Sequence, residues 1–67
     1  HDEYRASFMV RVNAVEGARA KAVQVFENAE IIEIKDGEFA VITQDITVAE
    51  LNKSTENLEV ISIYAFA

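Results

Sequence analysis

Apolar and polar residues alternate from Tyr4 to Asn13. Ala6, Phe8, Val10 and Val12 fall on one side and Arg5, Ser7, Met9 and Arg11 on the other, the period-two pattern of a half-buried strand. From Gly17 to Ala29 the period lengthens. Ala18, Ala22, Val25, Phe26 and Ala29 recur at steps of three and four, with Arg19, Lys21, Gln24, Glu27 and Asn28 mostly around the other side, which predicts an amphipathic helix. Between Glu30 and Asp45 two β-rich runs flank Asp36-Gly37, a dipeptide suited to the type I′ turn of a two-residue hairpin. That turn predicts the pairs Lys35/Glu38, Ile34/Phe39, Glu33/Ala40 and Ile32/Val41. A second helix is announced by Thr47, placed to cap the amide of Glu50 while Glu50 reaches back and Ile46 staples onto Leu51. Its apolar face is Val48, Leu51, Thr55 and Leu58. Glu59 to Ala67 alternates again and predicts the last strand.

The order strand, helix, strand, strand, helix, strand is that of an α+β, ferredoxin-like βαββαβ sandwich. Right-handed crossovers then predict a four-stranded antiparallel sheet in the spatial order 4-1-3-2, with both helices on one face. The covered face is expected to hold Phe8, Val10, Val12, Ile32, Ile34, Phe39, Val41, Ile61 and Ile63. The open face collects Met9, Ile31, Ala40, Ile42, Val60, Tyr64 and Phe66, relieved by Arg5, Arg11, Glu33 and Ser62. An apolar patch of that extent marks an association surface, so a homo-oligomer or a neighbouring domain is expected.

With 67 residues, and 51% of them hydrophobic, the chain has room for one domain with one core. Six Lys and Arg stand against twelve Asp and Glu, a net charge of -6 that repels phosphate backbones and anionic membranes. Nucleic-acid and membrane partners are therefore not expected, and the aromatics Tyr64 and Phe66 read as packing residues rather than an RNA platform. The chain has no cysteine, which removes disulfides, thiolate metal sites and a cysteine nucleophile, and makes the cytoplasm the expected location. No apolar run reaches the ~20 residues of a membrane span. The first residue is His1 rather than Met, so residues 1–3 read as a disordered or tag-derived start. Ser7, Ser54 and Ser62 have no base nearby in sequence, His1 is the lone histidine, and Glu27, Glu30, Glu33 and Glu38 read as solvated surface. Neither catalysis, a metal nor a cofactor is expected.

One segment offers a binding site. Asn13-Ala14-Val15-Glu16-Gly17-Ala18 leads from a strand into a helix N-terminus, where free amides and the helix dipole favour an anionic group. Gly17 permits close approach or a positive φ, and Ala18 leaves space beside it. An ordinary strand-to-helix turn is the plainer reading of the same residues.

Several segments together resemble the ACT domain, a βαββαβ module that regulates enzymes of amino-acid metabolism by binding an amino acid. They are SFMVRV (Ser7 to Val12), the loop glycine Gly17 followed by ARAKAVQVF (Ala18 to Phe26), AEIIEI (Ala29 to Ile34), and FAVITQDITVAELNKSTENLEVISIYAF (Phe39 to Phe66). The last is similar to the C-terminal regulatory domain of homoserine dehydrogenases. This resemblance implies one ACT-like domain over residues 1–67, a regulatory rather than catalytic role beside an oxidoreductase, and threonine as the effector. It also implies an effector held between two domains, by the loop before the first helix and by the second strand of a neighbour. Carried onto this chain, that selects Asn13, Glu16, Gly17 and Ala18, with Ile31 and Ile32 on the neighbour's side. The family places Asp or Asn three residues before the glycine and often Pro just before it, whereas Ala14 and Glu16 stand there and Asn13 lies one residue earlier. A ligand-free structural oligomerisation domain of the same fold is the alternative.

Overall fold

The computed structural model describes residues 3–66. The tag-derived reading of His1 and Asp2, and the strand reading of Ala67, lie outside the described residues. Five strands and two helices follow in the order β1 (Arg5–Asn13), α1 (Ala18–Val25), β2 (Glu30–Lys35), β3 (Glu38–Ile42), β4 (Ile46–Thr47), α2 (Val48–Thr55) and β5 (Val60–Phe66). The architecture is α+β, with all strand pairs antiparallel. β1 pairs with β3 on one side and β5 on the other, and β3 pairs with β2. The two-residue β4 pairs Ile46 with Ala6 and Thr47 with Arg5, close to where the Thr43 amide donates to the Phe8 carbonyl at 2.8 Å.

Alternation in β1 sends Ala6, Phe8, Val10 and Val12 into the core, as its pattern predicts. They meet Ala18, Ala22 and Phe26 at α1, Leu51 of α2, and Phe39 and Val41 of β3 in one apolar cluster, so both helices cover the same face. α1 is shorter than the predicted span. It ends at Val25 because Phe26 is already extended and Asn28 takes a left-handed φ of 57°, a conformation that asparagine tolerates. Val25, predicted to face the core, is exposed, and its carbonyl accepts from the Ser54 hydroxyl at 3.2 Å.

Two bulges overturn part of the predicted register. Lys35 does face Glu38, but Glu33 then faces Phe39, Ile32 faces Ala40 and Ile31 faces Val41. The cause lies in the turn. Gly37 has φ +83° while Asp36 keeps a negative φ, which excludes type I′ and fits a left-handed glycine at a G1 bulge. A left-handed glycine there adds one residue to the hairpin connection, and the ladder shifts by one between Glu33 and Lys35. A one-residue slip exchanges faces. Ile31 therefore packs onto the core and Glu33 joins the helix side, while Ile32 moves to the open side. Neither Ile32 nor Ile34 belongs to the buried core. In β5, Arg11 faces Ser62 but Val12 faces Val60. Ile61 is left over, so Val60 packs on the core in its place.

α2 begins as its sequence predicts. The Glu50 amide donates to Thr47 Oγ1 at 3.1 Å, and the Thr47 amide donates to Glu50 Oε1 at 2.8 Å. Thr47→Ala is expected to cost about 1 kcal/mol through the lost cap. Thermal unfolding checks this, and an unchanged midpoint would mean that the cap does not hold α2.

Candidate functional site

The loop between β1 and α1 is tied down at both ends. Asn13 ends β1, its amide donating to the Glu59 carbonyl at 2.9 Å and its side-chain Nδ2 to Glu59 Oε1 at 3.1 Å. The Ala14 amide donates to the Gly37 carbonyl at 2.8 Å, which fastens the loop to the β2–β3 turn. Val15 then bonds back to the Asn13 carbonyl, and the Ala18 amide to the Val15 carbonyl at 3.0 Å. Gly17 caps α1 in the left-handed region, at φ 80° and ψ -3°. That φ is one most side chains rarely adopt, and a Cβ there meets nothing within 4 Å, so the space beside it is open. No side chain caps α1 and no acidic residue occupies its first turn, so its N-terminal amides and dipole are not neutralised by the helix itself.

Asn13 and Glu16 are exposed, whereas Ala18 is buried under the helix. The loop thus brings together Asn13, Glu16, Gly17 and Ala18. Ile31 and Ile32 lie on β2 and point to opposite sides of the sheet, so a ligand on one side of β2 meets only one of them.

Sequence reasoning missed the ion pair beside this loop. Arg19, in the first turn of α1, donates to both Glu33 carboxylate oxygens, with Nε to Oε2 at 2.8 Å. Its guanidinium also lies over the Phe39 ring, 5.0 Å from the centroid. The hydrogen bond from Arg19 holds the Glu33 carboxyl below the usual carboxylate range, and burial only partly opposes it. A basic residue two places after the loop glycine was the available signal. Its partner could not be identified until the bulge had turned Glu33 toward the helices.

A second ion pair sits on the open face. Glu38, read from sequence as solvated surface, is buried. Arg11 Nε hydrogen-bonds its carboxylate, and Lys35 Nζ lies 3.8 Å away. The Arg11 hydrogen bond is the main cause that lowers the Glu38 pKa, and the Lys35 charge adds to it. Because the folded pKa is depressed, this pair stabilises the fold above the unfolded value of ~4.3 and is lost as pH falls through the folded value. Urea midpoints are expected to fall as pH drops below that unfolded value, and to fall less in Arg11→Met. Equal acid sensitivity in the two proteins would contradict this role for Arg11.

A cleft of about 500 Å³ lies elsewhere, lined by Phe26, Asn28, Gln44, Glu50 and Lys53 among others. Gln44 Nε2 already donates to the Asn28 carbonyl there at 2.9 Å. Among the described residues, no three His, Cys, Asp or Glu side chains converge as a metal site, and no helix is long and apolar enough to cross a membrane. A scan against protein-family models finds no match to this chain, and a search of curated proteins finds none either.

Proposed function

We propose that the chain is a regulatory domain of the ferredoxin-like, ACT type that binds an amino acid at the loop before α1 and modulates an enzyme of amino-acid biosynthesis. The observation that carries this reading is Gly17: a left-handed residue with open space beside it, at a helix start that no side chain caps. A carboxylate approaching there meets the positive end of the helix dipole without a Cβ in its way. The adjacent Arg19–Glu33 pair supplies one cation and one anion that a zwitterion would engage by exchanging their bonds to each other for bonds to its carboxylate and ammonium. The pairing order β2-β3-β1-β5, read along the four long strands, supports the ferredoxin-like assignment, with β4 a short addition beside β1. Regulation would follow from differential affinity: an effector that prefers one arrangement of neighbouring domains shifts their population. The resemblance to homoserine dehydrogenase regulatory domains makes threonine the first effector to test.

A second reading, a ligand-free assembly domain, is favoured by one feature. The Ala18 amide and the Asn13 side chain are already engaged within the chain, by Val15 and Glu59. Thermal unfolding against each of the twenty amino acids, with light-scattering mass in parallel, separates the two. A selective rise in the midpoint with one amino acid is expected. No rise with any of them, from a chain that still self-associates, would replace the regulatory reading with the assembly reading.

A further inference from the structure

A groove follows the seam between α1 and α2. The cleft of about 500 Å³ forms one part of it, and a cavity of about 350 Å³ continues it past Gln24, Val25 and Ser54, which line both. Lys21, Asn57 and Leu58 line one end, whereas Glu27, Asn28 and Glu50 line the other, so the two helices pass in opposite directions. Either volume lies in the range of small-molecule sites. Charge is spread unevenly along this groove. Four of the six Lys and Arg residues, Arg5, Arg11, Arg19 and Lys35, form ion pairs within the chain. The other two, Lys21 and Lys53, form none among the described residues, and both line the groove, Lys21 at one end and Lys53 next to Ser54 in the middle. No carboxylate lines the smaller cavity, at the Lys21 end. At the opposite end Glu50 is committed to the cap of α2, while Glu27 enters no ion pair among the described residues.

We propose that this groove binds a short extended peptide with free termini, about three residues long. At 1.5 Å per residue along α1, Lys21 and Glu27 stand roughly 9 Å apart. An extended tripeptide separates its ammonium from its carboxylate by about 10 Å. Both ends are therefore met at once, the carboxylate by Lys21 and Lys53 and the ammonium by Glu27. A single amino acid carries its two charges on one carbon and spans only part of that distance. The carboxamides of Gln24 and Asn57 each offer donors and an acceptor, as the peptide groups of the ligand do. Val25, Phe26, Ile46 and Leu58 supply apolar wall for a central side chain. Such a ligand has no net charge, so the -6 of the chain does not repel it as it would a plain anion. None of residues 13–19 lines the groove, so this inference stands apart from the reading of the loop before α1.

Titration of the ¹⁵N-labelled 67-residue chain with the tripeptide Ala-Leu-Ala tests this, beside the same peptide acetylated and amidated at its ends and beside free alanine and leucine. The free tripeptide is expected to move the amides of Lys21, Gln24, Val25, Asn28 and Ser54 to saturation. Blocking its termini, or offering either amino acid alone, should weaken binding about tenfold or more. Lys21→Met and Glu27→Gln, at exposed positions, should each weaken it about tenfold, with circular dichroism to verify that both variants fold. Glu56→Gln, outside the groove, should leave it unchanged. No saturable shift in the groove, or shifts confined to residues 13–19, would overturn the proposal. So would equal binding of the blocked peptide, because the charged termini would then play no part and the groove would fit a segment within a longer chain instead.

Discussion

Replacing Phe39 with alanine is expected to leave a large share of the chain unfolded at ambient temperature. The ring has no exposed surface and is the largest side chain in the core that is completely buried. It stands between Val12 on β1 and Glu33 on β2, in the cluster that holds both helices to the sheet. Truncating a buried phenylalanine to alanine costs about 3–5 kcal/mol, because the lost transfer energy is compounded by the cavity left behind. A chain of this length has about 3–10 kcal/mol of stability in total. Arg19 also loses the ring beneath its guanidinium, which loosens the start of α1. Phe39→Leu, which keeps most of the volume, should cost far less. Thermal unfolding distinguishes them. A Phe39→Ala midpoint within a few degrees of the parent would mean that the core does not depend on this ring.

The second large effect is expected at Gly17. A valine there must take φ near +80°, and the left-handed region costs an L-residue roughly 1–2 kcal/mol, more for a β-branched one. Because a Cβ meets no neighbour, the cost is conformational rather than a clash. Gly17→Asn isolates the functional part, since asparagine tolerates the same φ while placing atoms in the open space. Its stability should stay near that of the parent while stabilisation by the effector is lost. Gly17→Val should lose both. Unchanged effector stabilisation in both variants would remove Gly17 from the site.

The contrast between β1 and the outer strands explains how much of the fold was legible in the sequence. In β1 the apolar residues occupy one parity almost exclusively, so its inward face could be read directly. In β2 and β5, Ile31, Ile32 and Ile34, and likewise Val60, Ile61 and Ile63, offer an apolar residue to either face. Hydrophobicity alone therefore could not fix the register. Turn geometry and the bulges at Ile34 and Ile61 decided it. The Thr47–Glu50 capping box was legible because all its atoms lie within four residues. The burial of Glu38 under Arg11 was not, because those residues are 27 positions apart. At the candidate site the same division holds. Gly17 and its loop were marked by local conformation, whereas Arg19 acquires its partner only through the refolded register of β2. β4 is two residues long and too short to leave a periodic signal.

Amide chemical-shift mapping tests the proposed binding function most directly. The ¹⁵N-labelled chain is titrated with each of the twenty amino acids in turn, with threonine first. The proposal predicts that one amino acid moves the amides of residues 13–19 together with those of Ile31 to Glu33, where the loop, the start of α1 and β2 meet. Shifts confined to the cleft around Asn28, Gln44 and Lys53, or no shift with any amino acid, would contradict it.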